Sequence, residues 1–136
     1  MKKLLLLGFA AILFNSCINQ NEQQAKNSGV EIFFEETTHD YGDIQIDSDG
    51  SYTFKFKNIG KKPLIVNKVR STCGCTIPSW SKEPIESGQG DEVEVIYNTA
   101  LAGSFMKTII VYSSAVNSPV RLIIKGKVVE GQKEQH

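Results

Sequence analysis

Two thiols stand one residue apart at Cys73 and Cys75, flanking Gly74 in the run Ser71-Thr72-Cys73-Gly74-Cys75-Thr76. Three chemistries are open to such a pair. The sulfurs can join in a local bridge that shapes a loop, with Gly74 the residue best able to bend between them. So small a ring restrains little of the unfolded chain, adds little stability and reduces more easily than a relaxed structural disulfide. As thiolates the two suit a soft ion such as Cu(I), or zinc with further ligands. His39, the one histidine outside the extreme C-terminus, is the candidate third ligand. The third chemistry is thiol–disulfide exchange with a partner, although the spacing and the helix N-terminus of the usual oxidoreductases are absent. A structural bridge is the ordinary fate of cysteines at a strand end.

The other reactive residues read more plainly. His39 lies in His39-Asp40-Tyr41-Gly42, a turn-like run in which a histidine ordinarily makes hydrogen bonds. Asp40, Asp43, Asp47 and Asp49 are crowded in sequence but do not follow the spacing of a helix–loop–helix calcium site. Glu92 and Glu94 alternate along one strand face and read as solvated. Trp80 and Pro78 read as cover for the core beside the cysteine loop. No serine sits in a nucleophile elbow and no glycine-rich loop precedes a helix. The expectation is a protein that is not an enzyme, has no cofactor and acts on no small-molecule substrate.

The start of the chain sets the expected compartment. Lys2 and Lys3 precede an apolar run over residues 4–14, too short to span a bilayer, which takes about 20 residues. Ser16 and Cys17 follow. This is the layout of an export signal, and it resembles the lipobox of bacterial lipoproteins, whose cysteine is acylated and becomes the mature N-terminus. Phe14 and Asn15 depart from the usual residues there. The expected organisation is a signal peptide over 1–16, a lipidated Cys17 with a flexible tether over 17–29, one domain over 30–130 and a disordered tail over 131–136. The protein is then exported and anchored in the bacterial cell envelope, on its periplasmic face or outer surface, by acyl chains that each contribute about 0.8 kcal/mol per buried methylene. The tether is rich in Asn, Gln and Ser and too polar to bury a core. With 15 basic and 15 acidic residues the chain is neutral, and without Lys2 and Lys3 it carries −2. No basic block points to nucleic acid.

The elements that must hold these residues are strands. Tyr52, Phe54 and Phe56 alternate with Thr53, Lys55 and Lys57. Val93, Val95 and Tyr97 alternate with Glu92, Glu94 and Ile96, and Val120, Leu122, Ile124 and Val128 with Arg121, Ile123, Lys125 and Lys127. That period of two marks half-buried strands. Residues 64–69 and 106–112 are apolar on both faces and are expected to be central strands. Residues 31–34 and 41–44 supply weaker ones. Turn signals at 47–50, 58–63, 87–90, 102–104 and 117–119 separate the runs. About seven short strands with no helical period predict an all-β, immunoglobulin-like two-sheet sandwich.

The runs His39-Asp40-Tyr41-Gly42-Asp43-Ile44, residues 52–60, residues 63–66 and the Cys-Gly-Cys-Thr-Ile-Pro segment together resemble a secreted bacterial family, the domain of unknown function catalogued as number fifteen-seventy-three. The resemblance covers about residues 33–128, with Tyr41 where the family typically has Phe. It implies the sandwich fold and the exported compartment, and no activity. Its layout is in turn similar to chaperone-like and cilium-associated sandwiches, which are mostly binding modules. The expected function is a lipid-anchored binding or scaffolding module with a protein partner, offered through an exposed sheet edge such as residues 31–34. The alternative is a metal-binding or redox role for Cys73, Cys75 and His39.

Overall fold

The period-two segments pair into two sheets because each has one apolar face to hide. The protein is described by a computed structural model covering residues 29–131. Cys17, the signal peptide, all but the last residue of the tether, and all but the first residue of the tail lie outside the described residues. Eight strands follow one another with no helix among the described residues. They are β1 (Ile32–Phe34), β2 (Thr38–Gln45), β3 (Ser51–Asn58), β4 (Val66–Ser71), β5 (Thr76–Trp80), β6 (Gly90–Tyr97), β7 (Gly103–Ser113) and β8 (Val120–Val129). The first sheet has the order β1-β3-β6-β5 and the second β2-β8-β7-β4. Pairing is antiparallel except between β2 and β8, which run parallel.

The core lies between the sheets. Phe54, Val93 and Val95 of the first sheet and Ile109, Val111, Leu122 and Ile124 of the second are buried there. Among the described residues every strand and every buried core side chain falls between Ile32 and Val129, so this one segment has a hydrophobic core of its own. The strand count is one more than the sequence predicts. The extra strand is β5, where Pro78 masks the pattern; proline is tolerated because it sits on a sheet edge.

A second difference concerns residues 64–69. β7 is central, as its two apolar faces predict, but β4 is an edge strand. Leu64 is fully buried in an isolated bridge to Ile85, before the chain joins the second sheet at Val66. Ile65 between them is exposed. The apolar run thus reflects a crossing between sheets, not a strand covered on both sides.

Asn58 anchors the end of the sandwich where the described chain begins. Its side chain is fully buried, donates to the carbonyls of Lys62 and Ile85, and accepts from the Gly60 amide. It therefore ties the β3–β4 connection to the segment ahead of β6. At the opposite end Gly50 is buried, and a Cβ there would meet the Tyr97 carbonyl oxygen at 2.1 Å, so only glycine fits.

Candidate functional site

The cysteine run is the short arch that carries the chain from one sheet to the other. The last bond of the β4–β7 ladder is donated by the Thr72 amide to the Thr108 carbonyl. The Cys73 amide then donates to Ser71 Oγ. The Asn98 amide donates to the Cys75 carbonyl, which docks the chain on β6 as β5 begins. Cys73 and Cys75 are joined as a disulfide, with their Cα atoms 5.4 Å apart. Both are half-buried, and Gly74 between them is exposed. Gly74 does not adopt a left-handed conformation, and a Cβ on it would meet nothing within 4 Å. The bend does not demand glycine.

Beside the arch lies an open groove walled by the turn at residues 47–50, Cys75, Ile77 and Ile96. Ile77 and Ile96 face each other in register across β5 and β6 and remain 65% and 46% exposed. They are the apolar part of its wall.

His39 is elsewhere. It pairs with Ile124 on β8, Ile124 with Lys107 on β7, and the chain beyond β4 reaches Cys73 at the same height along the strands. Three strand spacings therefore separate histidine from cysteines, about 14 Å. Its ring stacks on Tyr52 with centroids 3.5 Å apart and meets Tyr41 edge-on at 4.6 Å. Burial against these rings lowers its pKa, opposed by the charges of Glu36 and Asp40. Among the described residues no three His, Cys, Asp or Glu side chains gather as a metal site.

Of the four crowded aspartates, Asp40 and Asp49 are occupied locally. Asp40 accepts from the Gly42 amide, and Gly42 has a φ of 62° at the bulge in β2. Asp49 accepts from the Ser51 hydroxyl and amide, which lower its pKa. Tyr41 donates to the Gly50 carbonyl at 2.7 Å; burial and the Asp49 charge push its pKa up to about 12. Glu92 stands opposite Lys55, and Glu94 opposite Thr53, on the outer face of the first sheet. Trp80 packs against the core from β5, while its indole nitrogen has no partner.

The four sheet edges differ in what they offer a partner strand. On β1 and just ahead of it, Ile32 and Val30 point their backbone groups away from β3. The Asn117 side chain donates to the Ile32 carbonyl and accepts from its amide, and the Val116 amide donates to Val30. The edge that the sequence singles out at residues 31–34 is thus largely filled by the protein's own β7–β8 connection. A side-chain amide reaching 85 residues along the chain leaves no local pattern, so nothing in the sequence announces it. On β5, the outward position of Pro78 has no amide to give. On β2, the bulge between Asp40 and Asp43 breaks the edge. β4 pairs with β7 alone; its register shifts near its start, between Val66 and Lys68, and beyond that the backbone groups of Val69 and Ser71 face away from β7.

A family model described as "Protein of unknown function (DUF1573)" matches residues 32–128, from the first residue of β1 nearly to the end of β8. No curated protein matches the sequence. A protein of unknown function from Porphyromonas gingivalis W83 is similar in structure, with a TM-score of 0.64 and 15% identity over 73% of this chain and 47% of that one. This chain therefore spans about half the length of that protein. PapD-like domain 7 of human CEP192, an ASH / PapD-like domain, has a TM-score of 0.62 and 12% identity over 79% of this chain and 89% of that one. A chain of the CsuC–CsuE chaperone–tip adhesion subunit pre-assembly complex of Acinetobacter baumannii has a TM-score of 0.50 and 15% identity over 73% of this chain and 56% of that one. At these identities the likeness is one of fold, an immunoglobulin- and PapD-like sandwich.

Proposed function

We propose, from the premise that this chain belongs to the DUF1573 family of proteins of unknown function, that it is a lipid-anchored envelope module that binds a protein partner and catalyses nothing. The observation that carries the binding role is the contrast among sheet edges. β1 is filled, β5 is proline-blocked and β2 is broken in its middle, whereas β4, whose register shifts only near its start between Val66 and Lys68, keeps a regular end with outward backbone groups at Val69 and Ser71. A partner strand added there would extend the second sheet, with main-chain hydrogen bonds supplying affinity. The anchoring part rests on Cys17 and the apolar run before it. The metal or redox reading has less support, because His39 stands across the sheet from Cys73 and Cys75.

Two experiments test the proposal. Labelled palmitate should enter the wild type and not Cys17→Ser; a wild type that takes up no label ends the anchoring claim. Ser71→Pro removes an outward amide of β4 without touching the ladder to β7, whereas Thr38→Pro does the same on bulged β2. The partner recovered with the wild type should be lost with Ser71→Pro and kept with Thr38→Pro. Retention by Ser71→Pro rules out strand addition at β4.

A further inference from the structure

The outer faces of the two sheets carry different charge, and the sequence hides this. On the second sheet β4 presents Lys68 and Arg70, and β8 presents Arg121, Lys125 and Lys127. Lys125 and Lys127 stand opposite Asp40 and Asp43 of β2. Lys68, Arg70 and Arg121 have no such neighbour. Arg70 and Arg121 both face Ile110 from either side, and Lys68 faces Tyr112. None of the three makes an ion pair with a described residue. With strands about 4.8 Å apart and residues about 3.3 Å apart along them, Arg70 lies about 10 Å from Arg121 and about 7 Å from Lys68, and Lys68 about 12 Å from Arg121, close to the range over which charges act together in physiological salt. The first sheet's outer face is different: Lys55 stands opposite Glu92, and Glu94 lies two residues along.

The basic cluster also lies at a particular end. Arg121 is at the start of β8 and Lys68 near the start of β4. Those strand ends adjoin the β7–β8 connection, whose Val116 amide donates to Val30, where the described chain begins. The chain therefore enters the domain beside this cluster. From Cys17 to Gly29 twelve residue steps can reach at most about 40 Å.

We propose that the outer face of the second sheet docks on an anionic phospholipid surface through Lys68, Arg70 and Arg121, with Tyr112 and Ile110 between them. The cations meet lipid phosphates, and the tyrosine suits the boundary between headgroup and acyl chain. This orients the sandwich with its first sheet outward and leaves the β4 edge reachable from the side. The attraction is a property of the folded face and does not need the lipid anchor; only the reach of the chain draws on that reading.

Residues 18–136 hold every described strand and leave out Cys17, so they are the material to test. Binding is measured by co-sedimentation with vesicles of phosphatidylglycerol and phosphatidylcholine, against phosphatidylcholine alone. The wild type should partition onto the anionic vesicles only, and salt should weaken it. Each cation near a membrane surface is worth about a fivefold change in partition, so Lys68→Gln with Arg70→Gln and Arg121→Gln should lower binding by about a hundredfold or more. Lys55→Gln with Lys57→Gln, two cations of the other face, should change it less than tenfold. Thermal melting of each variant confirms the fold, since all five side chains are exposed. Equal binding to neutral vesicles, an equal loss in the Lys55 and Lys57 variant, or tighter binding to duplex DNA than to the anionic vesicles would each overturn the proposal. The palmitate experiment reads Cys17 alone, so the two proposals fail separately.

Discussion

The two edges of the first sheet solve one problem by different means. β1 is closed by hydrogen bonds, from Asn117 and Val116 on a connection that lies far along the chain. β5 is closed by what it lacks, an outward amide at Pro78, and is tied at its start by the Cys73–Cys75 ring. The first closure is bought with contacts that exist only in the folded protein. The second is written into the local sequence and persists when the chain unfolds. Removing the first should therefore cost stability, and removing the second should cost little.

The largest effect is expected at Asn58, which ties the β3–β4 connection on the hydrogen-bonded side. Asn58→Ala deletes three side-chain hydrogen bonds and leaves the Ile85 and Lys62 carbonyls and the Gly60 amide without that partner. A loss of about 3 kcal/mol is expected in denaturant unfolding. Asn117→Ala comes next. It strips both backbone groups of Ile32 of their partner, at a cost of about 1–2 kcal/mol. The freed edge should also self-associate, visible as a concentration-dependent sedimentation coefficient. On the other edge, Cys73→Ala with Cys75→Ala should cost at most about 1.5 kcal/mol, because a three-residue loop restrains the unfolded chain so little. A double-cysteine variant less stable than Asn117→Ala would reverse the comparison.

Much of this fold is legible in the sequence because strands with one wet face must alternate. Phe54, Phe56, Val93, Val95, Leu122 and Ile124 all point where their period of two places them. The family identity is likewise legible, through runs the family model covers. What escaped was whatever depends on register between distant segments. Pro78 hid β5, and a sheet crossing at Leu64 looked like a central strand. Lys68, Arg70 and Arg121 form no basic run, yet strand pairing gathers them on one face. His39 and the cysteines share a family-like signature, but a signature records sequence order and not distance. The strand order places them three strands apart.

His39 offers the smallest and most selective perturbation. It lies on β2, outside both closures of the first sheet, and stacks on Tyr52 of β3 to hold the two sheets together on that side. Burial lowers its folded pKa below the ordinary value of 6.5. The folded state then prefers the neutral ring, while the unfolded chain binds the proton more readily. Stability from this group is complete above about 6.5 and declines as pH falls through that value toward the lower folded pKa. Glu36 and Asp40 oppose the shift, so the decline is modest. His39→Gln should flatten the fall in melting temperature on acidification while leaving the effect of Asn117→Ala unchanged. If the wild type and His39→Gln lose stability in parallel, the stacked ring is not the acid-sensitive element, and the carboxylates on the β2 side become the groups to examine.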